Sequence, residues 1–226
     1  MPFSTPDFVD HMKDFSRSVL TKSEDTVDHL MAAYNARYVV LDQRNYSLKD
    51  FFLRLLKNEP GYSQIKKDAN DVPFLFLNNL LFFDGELRWR KTPGVKHFRL
   101  VYEVPKKVAV SLSSAKGPLK QDYNGLKIFE RVPGAVINLQ GLPKNSLIMV
   151  QLPLLTNTQR MMSYTNFYVT GADGKAQFTV PYPTEALSSS AVHPMENKYT
   201  VFLSKKPLRH FFVMEKDIQA GSTLQF

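Results

Sequence analysis

No cysteine occurs in the 226 residues, which excludes disulfides, thiolate metal sites and cysteine nucleophiles together. Long apolar runs are missing too. The longest, Phe74 to Phe83, is broken by Asn78 and Asn79 and is far shorter than the ~20 residues of a membrane-spanning helix. The opening MPFSTPDFVDHMKDF carries acids and no continuous apolar stretch, so it does not read as a secretory signal. G-x-S-x-G, the phosphate loop and the dinucleotide fingerprint are absent, which argues against nucleotide chemistry and the commonest serine hydrolases. The five histidines (His11, His29, His97, His193, His210) show no i, i+4 pairing of the zinc-enzyme kind. No pair of acids sits in a motif that glycoside hydrolysis would require.

What is present is an ordinary globular composition, 43% hydrophobic and 22% charged, in a chain long enough for one large domain or two modest ones. A net charge of +8 favours anionic lipid head groups, phosphorylated glycans or nucleic acid, or is simply a solvated basic surface. Aromatics are abundant, with 17 Phe and 10 Tyr, and a packed core accounts for most of the Phe. Trp89, in Arg88-Trp89-Arg90-Lys91, is the one aromatic placed to stack on a sugar or base, or else to cap a core. His97, just before a strand, is a candidate for a cleft, against the commoner hydrogen-bonded structural role. Asn45-Tyr46-Ser47 matches the N-glycosylation acceptor triplet, although Ser47 also reads as a helix cap.

The first hundred residues are patterned as helices. Thr5-Pro6-Asp7 opens a helix in which Phe8, Met12, Phe15 and Val19 recur at helical spacing. Thr21 and Glu24 fit a capping box for a second, with Val27, Leu30, Met31 and Tyr34 on one face. Tyr38-Val39-Val40-Leu41 is expected to be a buried strand. Ser47 and Asp50 fit another capping box, opening a helix with Phe51, Phe52, Leu55 and Leu56 inward and Pro60-Gly61 as its stop. Phe74 to Phe83 is favoured as helix by its length.

From Phe98 onward short β-branched and aromatic runs alternate with Gly, Pro and Asn clusters, roughly every 8 to 12 residues, as in a sandwich. Ala172-Asp173-Gly174-Lys175 is a turn signal that predicts a hairpin of 167–170 with 177–180. Ser188-Ser189-Ser190 is expected to be a loop. The fold class expected is α+β: a helix-rich subdomain over 1–103 with a short buried strand or small sheet, followed over 104–226 by a β-sandwich or barrel-like module.

Several stretches, in order, resemble the archaeal oligosaccharyltransferase catalytic subunit. They are Tyr34-Asn-Ala-Arg-Tyr-Val-Val-Leu-Asp42, Phe98-Arg-Leu-Val-Tyr-Glu103, Leu126-Lys-Ile-Phe-Glu-Arg-Val-Pro-Gly-Ala135, Thr156-Asn-Thr-Gln-Arg160 and Phe178-Thr-Val-Pro-Tyr182. The resemblance implies the soluble, extracytoplasmic C-terminal part of an enzyme that transfers a lipid-linked oligosaccharide to asparagine in Asn-x-Ser/Thr. It implies, as partners, a multi-span membrane domain, an acceptor polypeptide and the lipid-linked oligosaccharide, with no nucleic acid. No cofactor is implied for this chain itself; a divalent metal, Mn or Mg, is expected in the membrane part. The family reads the sequon hydroxyl with Trp-Trp-Asp-Tyr-Gly and a helix carrying Asp-x-x-Lys followed four residues on by an apolar residue. One tryptophan rules out the first motif here, and the chain is expected to begin just downstream of it. On the helix after Asp42, Lys49 and Leu53 fall where the lysine and the apolar residue lie, while Tyr46 replaces the acid. Lys49 and Leu53 are therefore the substrate-binding candidates, with no catalytic or metal residue assigned and no catalysis expected from the chain alone. The alternative is a stand-alone extracytoplasmic glycan- or protein-binding module of the same fold.

Overall fold

The computed structural model describes residues 6–42, 49–70, 75–85, 95–112, 119–187 and 190–226. The helical half opens with α1 (Pro6–Leu20), α2 (Glu24–Ala33), β1 (Tyr38–Asp42), α3 (Lys49–Leu55), α4 (Tyr62–Ala69) and α5 (Phe76–Phe83). Strands follow: β2 (Phe98–Glu103), β3 (Lys107–Leu112), β4 (Leu119–Asn124), β5 (Leu126–Arg131), β6 (Ala135–Leu139) and β7 (Leu147–Leu155). Then come β8 (Met161–Val169), β9 (Ala176–Val180), β10 (His193–Pro194), β11 (Tyr199–Leu203), β12 (Lys206–Phe211), α6 (Glu215–Ala220) and β13 (Thr223–Gln225). The class is α+β. Two compact units share the chain, 1–85 with 104–127 and 86–103 with 128–226. The middle crossing between them falls at 103/104.

In the first unit Val19, Leu20, Val27, Leu41, Phe52, Leu56 and the Leu75–Phe82 stretch are buried. Each large side chain removed from water in this way contributes about 1.5–3 kcal/mol. The α1 stripe that goes inward is Ser16, Val19 and Leu20, and the Ser16 hydroxyl is satisfied by donating to the Met12 carbonyl at 2.6 Å. Phe15 stays half exposed and meets Phe52 of α3 edge-on at 5.5 Å. The Phe76 N–H donates to the Thr21 carbonyl at 2.7 Å, tying the end of α1 to the start of α5. Helix α5 confirms the helical reading of the apolar run. It ends in a left-handed Asp84, whose N–H returns to Leu80 while that of Gly85 returns to Asn79. The Asp84 carboxylate in turn receives the Lys127 ammonium at 2.6 Å, so this buried lysine is paired. Strands β3 and β4 form an antiparallel ribbon in the same unit.

Several expectations need correction here. Ser23, not Thr21, caps α2: its hydroxyl accepts from the Thr26 N–H, while Thr21 holds the Ser23 N–H. Strand β1 exists but is not buried; Tyr38 and Val40 are 52% and 54% exposed and only Leu41 is covered. Phe51 points outward. Helix α4 carries no strong apolar stripe and was not expected. Ser47, the Asn45 triplet, Trp89 and Ser188-Ser189 lie outside the described residues.

In the second unit the burial of β6, β7 and β9 alternates with period two. In β7 Ile148, Val150, Leu152 and Leu154 face inward, and their neighbours outward. A five-stranded sheet runs β10-β7-β11-β12 with β8 along β7, and a second sheet runs β13-β6-β9. The turn at 171–175 is present, closed by the Gly171 N–H on the Lys175 carbonyl at 2.8 Å. It does not make a hairpin, because β8 pairs with β7 and β9 with β6. The two sheets meet through aromatic rings, Phe178 stacking on Tyr168 at 4.3 Å and lying 6.0 Å from Phe211, which itself stacks on its strand neighbour Tyr199 at 4.8 Å. Gly134, at φ 76°, opens β6 where a Cβ would lie 2.5 Å from Thr179 and 2.7 Å from the Lys96 carbonyl, so only glycine fits.

Candidate functional site

The apolar face of α2 closes into the core only at Val27. With Leu30, Met31 and Tyr34 it walls a groove of about 380 Å³ alongside Phe15 of α1 and Val39 of β1. The α1 side contributes His11, Asp14, Phe15 and Ser18, spaced i, i+3, i+4 and i+7, which is one stripe of a helix. The polar end is organised by Asp14. The Tyr34 hydroxyl donates to its Oδ2 at 2.7 Å, and Arg17 donates to its Oδ1 at 2.8 Å. That hydrogen bond holds the Tyr34 phenol above its ordinary range, so it stays protonated and its oxygen retains acceptor capacity. His11 meets the Tyr34 ring edge-on at 5.1 Å. Behind this end Arg17 and Lys13 both reach Glu59, each at 2.7 Å. Such a groove suits an apolar or aromatic group with one polar end. Among the described residues no three His, Asp or Glu converge as metal ligands.

Lys49 and Leu53, the candidates from sequence, lie one turn apart on α3 and are both partly exposed. Neither lines the groove. They connect to it through the body of α3, whose Phe52 rests on Phe15. His11 and Asp14 were not anticipated. Their signal was the regular i, i+3, i+4 spacing on α1, which the apolar residues of the same helix had already claimed.

The segments that carry the resemblance form buried polar locks in the second unit. Glu103 is fully buried and accepts from Thr156 and Thr158 hydroxyls, each at 2.6 Å, and from Arg160 at 2.6 and 3.0 Å. Asn157 adds two bonds to the Glu103 backbone. Arg99 is sandwiched between Glu130 and Glu215, and these carboxylates hold its guanidinium firmly protonated against the burial that opposes it. The Leu100 N–H donates to the Tyr182 hydroxyl at 2.7 Å. His97 donates Nδ1–H to the Pro133 carbonyl at 2.9 Å, the structural role rather than a cleft role.

Residues 134–224, less than half of the chain, match the family model described as archaeal glycosylation protein B long peripheral domain. Solved structures of the Archaeoglobus fulgidus oligosaccharyltransferase share the fold over 93% of the chain. The apo form matches with a TM-score of 0.70 at 16% identity. A complex of the archaeal oligosaccharyltransferase AglB with an inhibitory peptide and a dolichol-phosphate matches at 0.69 and 15%. A form tethered to an acceptor peptide containing the NVT sequon matches at 0.64 and 16%. The chain spans about a third of the length of these structures, 32–33%. No curated protein matches it by sequence. The resemblance in the ordered segments thus extends to the fold.

Proposed function

We propose that this chain is the extracytoplasmic part of an oligosaccharyltransferase-type N-glycosylation enzyme, contributing to transfer of a lipid-linked oligosaccharide onto asparagine in Asn-x-Ser/Thr. The observation that carries this reading is the shared fold over 93% of the chain with oligosaccharyltransferase structures, joined to the family match over 134–224. In this reading the chain works at the outer face of the cell membrane beside a multi-span membrane part. That part binds the divalent metal, Mn or Mg, and the lipid pyrophosphate, and supplies the catalytic acids. No metal step is assigned to the residues described here. Lys49 and Leu53 face the acceptor polypeptide, and α3 is held in place for that task by Phe52 against Phe15.

The test is glycopeptide formation from a lipid-linked oligosaccharide, a sequon peptide and Mn²⁺. Turnover is expected only when the membrane part is supplied with the chain. Turnover by the chain alone, or equal turnover by the membrane part without it, would sink the proposal. A second reading, a stand-alone extracytoplasmic module that binds a glycan or a protein, is favoured by the open groove between α1 and α2. Its mark would be saturable binding by the isolated chain that Tyr34→Ala removes, with no role in peptide transfer.

A further inference from the structure

The five-stranded sheet has an outer face as well as an inner one, and half of that outer face is apolar. The register sets the rows. Leu147 pairs with Val169, and in the next row Met149 pairs with Phe167 on one side and Phe202 on the other, with Pro207 beyond. These six side chains point away from the inward row of Ile148 and Val150. Leu147 and Val169 are 49% and 69% exposed, and Met149, Phe167 and Phe202 are part-exposed. An antiparallel sheet with one face on a core ordinarily turns polar residues to water on the other. The following row is polar, with Gln151 part-exposed and His210 exposed while Thr165 and Thr200 are buried.

Three exposed cations stand at the apolar end. Lys205 lies in the turn between β11 and β12, Lys206 opens β12 opposite Leu203, and Lys144 belongs to the loop that leads into Leu147. The turn is a two-residue hairpin in which both Ser204 and Lys205 have positive φ, 49° and 70°. Glycine or asparagine takes that backbone at least cost, and a lysine there is strained by about 1–2 kcal/mol. A cation is thus kept at a tip where a smaller residue would fold more easily. Asp173, in the loop that follows β8, is paired with Lys175 of the same loop.

We infer that the Leu147–Val169 end of this sheet, with Lys144, Lys205 and Lys206, seats on an anionic lipid bilayer surface. The apolar rows enter the head-group boundary and the lysines meet the phosphates, the arrangement by which peripheral segments gain both hydrophobic and charge attraction. A second copy of the chain does not fit as well. Two such faces would bring like cations together on molecules that each carry +8. The inference is independent of the reaction proposed above, since it rests only on the second unit.

Flotation with phosphatidylcholine vesicles, with and without phosphatidylglycerol, tests it. The chain is expected to bind the anionic vesicles and to leave them as salt rises. The triple variant Lys144→Ser, Lys205→Ser, Lys206→Ser is expected to lower partitioning roughly 100-fold, three lysines near an anionic surface acting together. Leu147→Ser with Val169→Ser is expected to lower it roughly tenfold, with an unchanged melting temperature because both sites are exposed. A control triple with the same charge change, Lys57→Ser, Lys66→Ser, Lys67→Ser, is expected to retain most binding. No partitioning at low salt, or an equal loss in the control triple, overturns the inference. So does a concentration-dependent dimer abolished by Val169→Asp, which would give the face to a second copy.

Discussion

Arg160 closes over Glu103: its guanidinium lies 2.6 Å from a carboxylate that has no exposure to solvent, while Arg160 itself stays about one third exposed. The two partners are therefore not equivalent. Removing the arginine leaves a buried charge without its ion pair, although the Thr156 and Thr158 hydroxyls still donate to it. Removing the glutamate frees an arginine that can turn to water.

Arg160→Ala should accordingly destabilise the second unit by about 3–5 kcal/mol, the cost of an uncompensated buried carboxylate. Glu103→Gln should cost less, about 1–3 kcal/mol, because the amide keeps one acceptor and loses only the charge-assisted part. Urea unfolding of the two variants measures the order. If Glu103→Gln proves the more damaging, the lock depends on the glutamate's packing rather than on its charge.

The neighbouring strand residues Val40 and Leu41 provide a second contrast. Val40 is 54% exposed and Leu41 fully covered. Val40→Asp should shift stability by less than about 0.5 kcal/mol, the usual range for a surface change. Leu41→Asp should unfold the first unit by burying an unpaired charge. Thermal melts of both decide, and a collapse in Val40→Asp would place the strand the other way up.

These two strand residues also illustrate what the sequence could and could not reveal. The run Tyr38 to Leu41 announces a strand by its β-branched and aromatic content, and β1 is there. Which parity is covered depends on partners far away in the chain, and four apolar residues in a row carry no alternation to reveal it. The turn at Asp173-Gly174 was legible for the same local reason, with Gly174 at φ 72°. Its flanking strands pair elsewhere, and no local signal encodes that. Helix α4 escaped notice because Tyr62, Ile65 and Ala69 are its only apolar residues among lysines and polar side chains. The groove was half legible: the stripe Val27, Leu30, Met31, Tyr34 was visible on α2, but not that beyond Val27 it would face an opening instead of a core.

Stability of the first unit should fall in acid through Glu59. The hydrogen bond from Lys13 holds the Glu59 carboxyl below its ordinary range and the Lys13 ammonium above its own. A carboxyl depressed in the fold binds fewer protons folded than unfolded, so its contribution is complete above the unfolded value of about 4.3. It is lost as pH falls through the folded value. The lysine contribution is complete below its unfolded value and fades as pH rises through the raised folded one. Denaturant melts across the acid range should show a slope that Glu59→Gln flattens. An identical slope in that variant would assign the acid sensitivity to other carboxyls.

Tyr34 should matter to ligand capture more than to folding. Its hydroxyl is tied to Asp14 at 2.7 Å on an exposed rim, so Tyr34→Phe should cost at most about 1 kcal/mol of stability. The same change removes the hydroxyl acceptor at the polar end of the groove. Soaking or titrating with small phenols and indoles should detect weaker binding in Tyr34→Phe than in the native chain. Equal binding would reduce the groove to a purely apolar one.

The last expectation concerns Lys49 at the start of α3. A cation in the first turn is unfavourable to the helix dipole, and this lysine is partly exposed. Lys49→Ala should therefore change stability by less than about 0.5 kcal/mol, in either direction. If the helix holds the acceptor polypeptide as proposed, the same variant should slow peptide transfer by the reconstituted enzyme, raising KM for the sequon peptide more than it lowers kcat, since a contact that positions the ground state is lost. Leu53→Ala, one turn on, should act in the same direction, while Phe52→Ala should damage folding by about 3–5 kcal/mol because Phe52 is buried against Phe15. Steady-state kinetics of Lys49→Ala against the unaltered enzyme decide. Unchanged constants would leave Lys49 as a solvated surface residue and move the acceptor contact to another part of the enzyme.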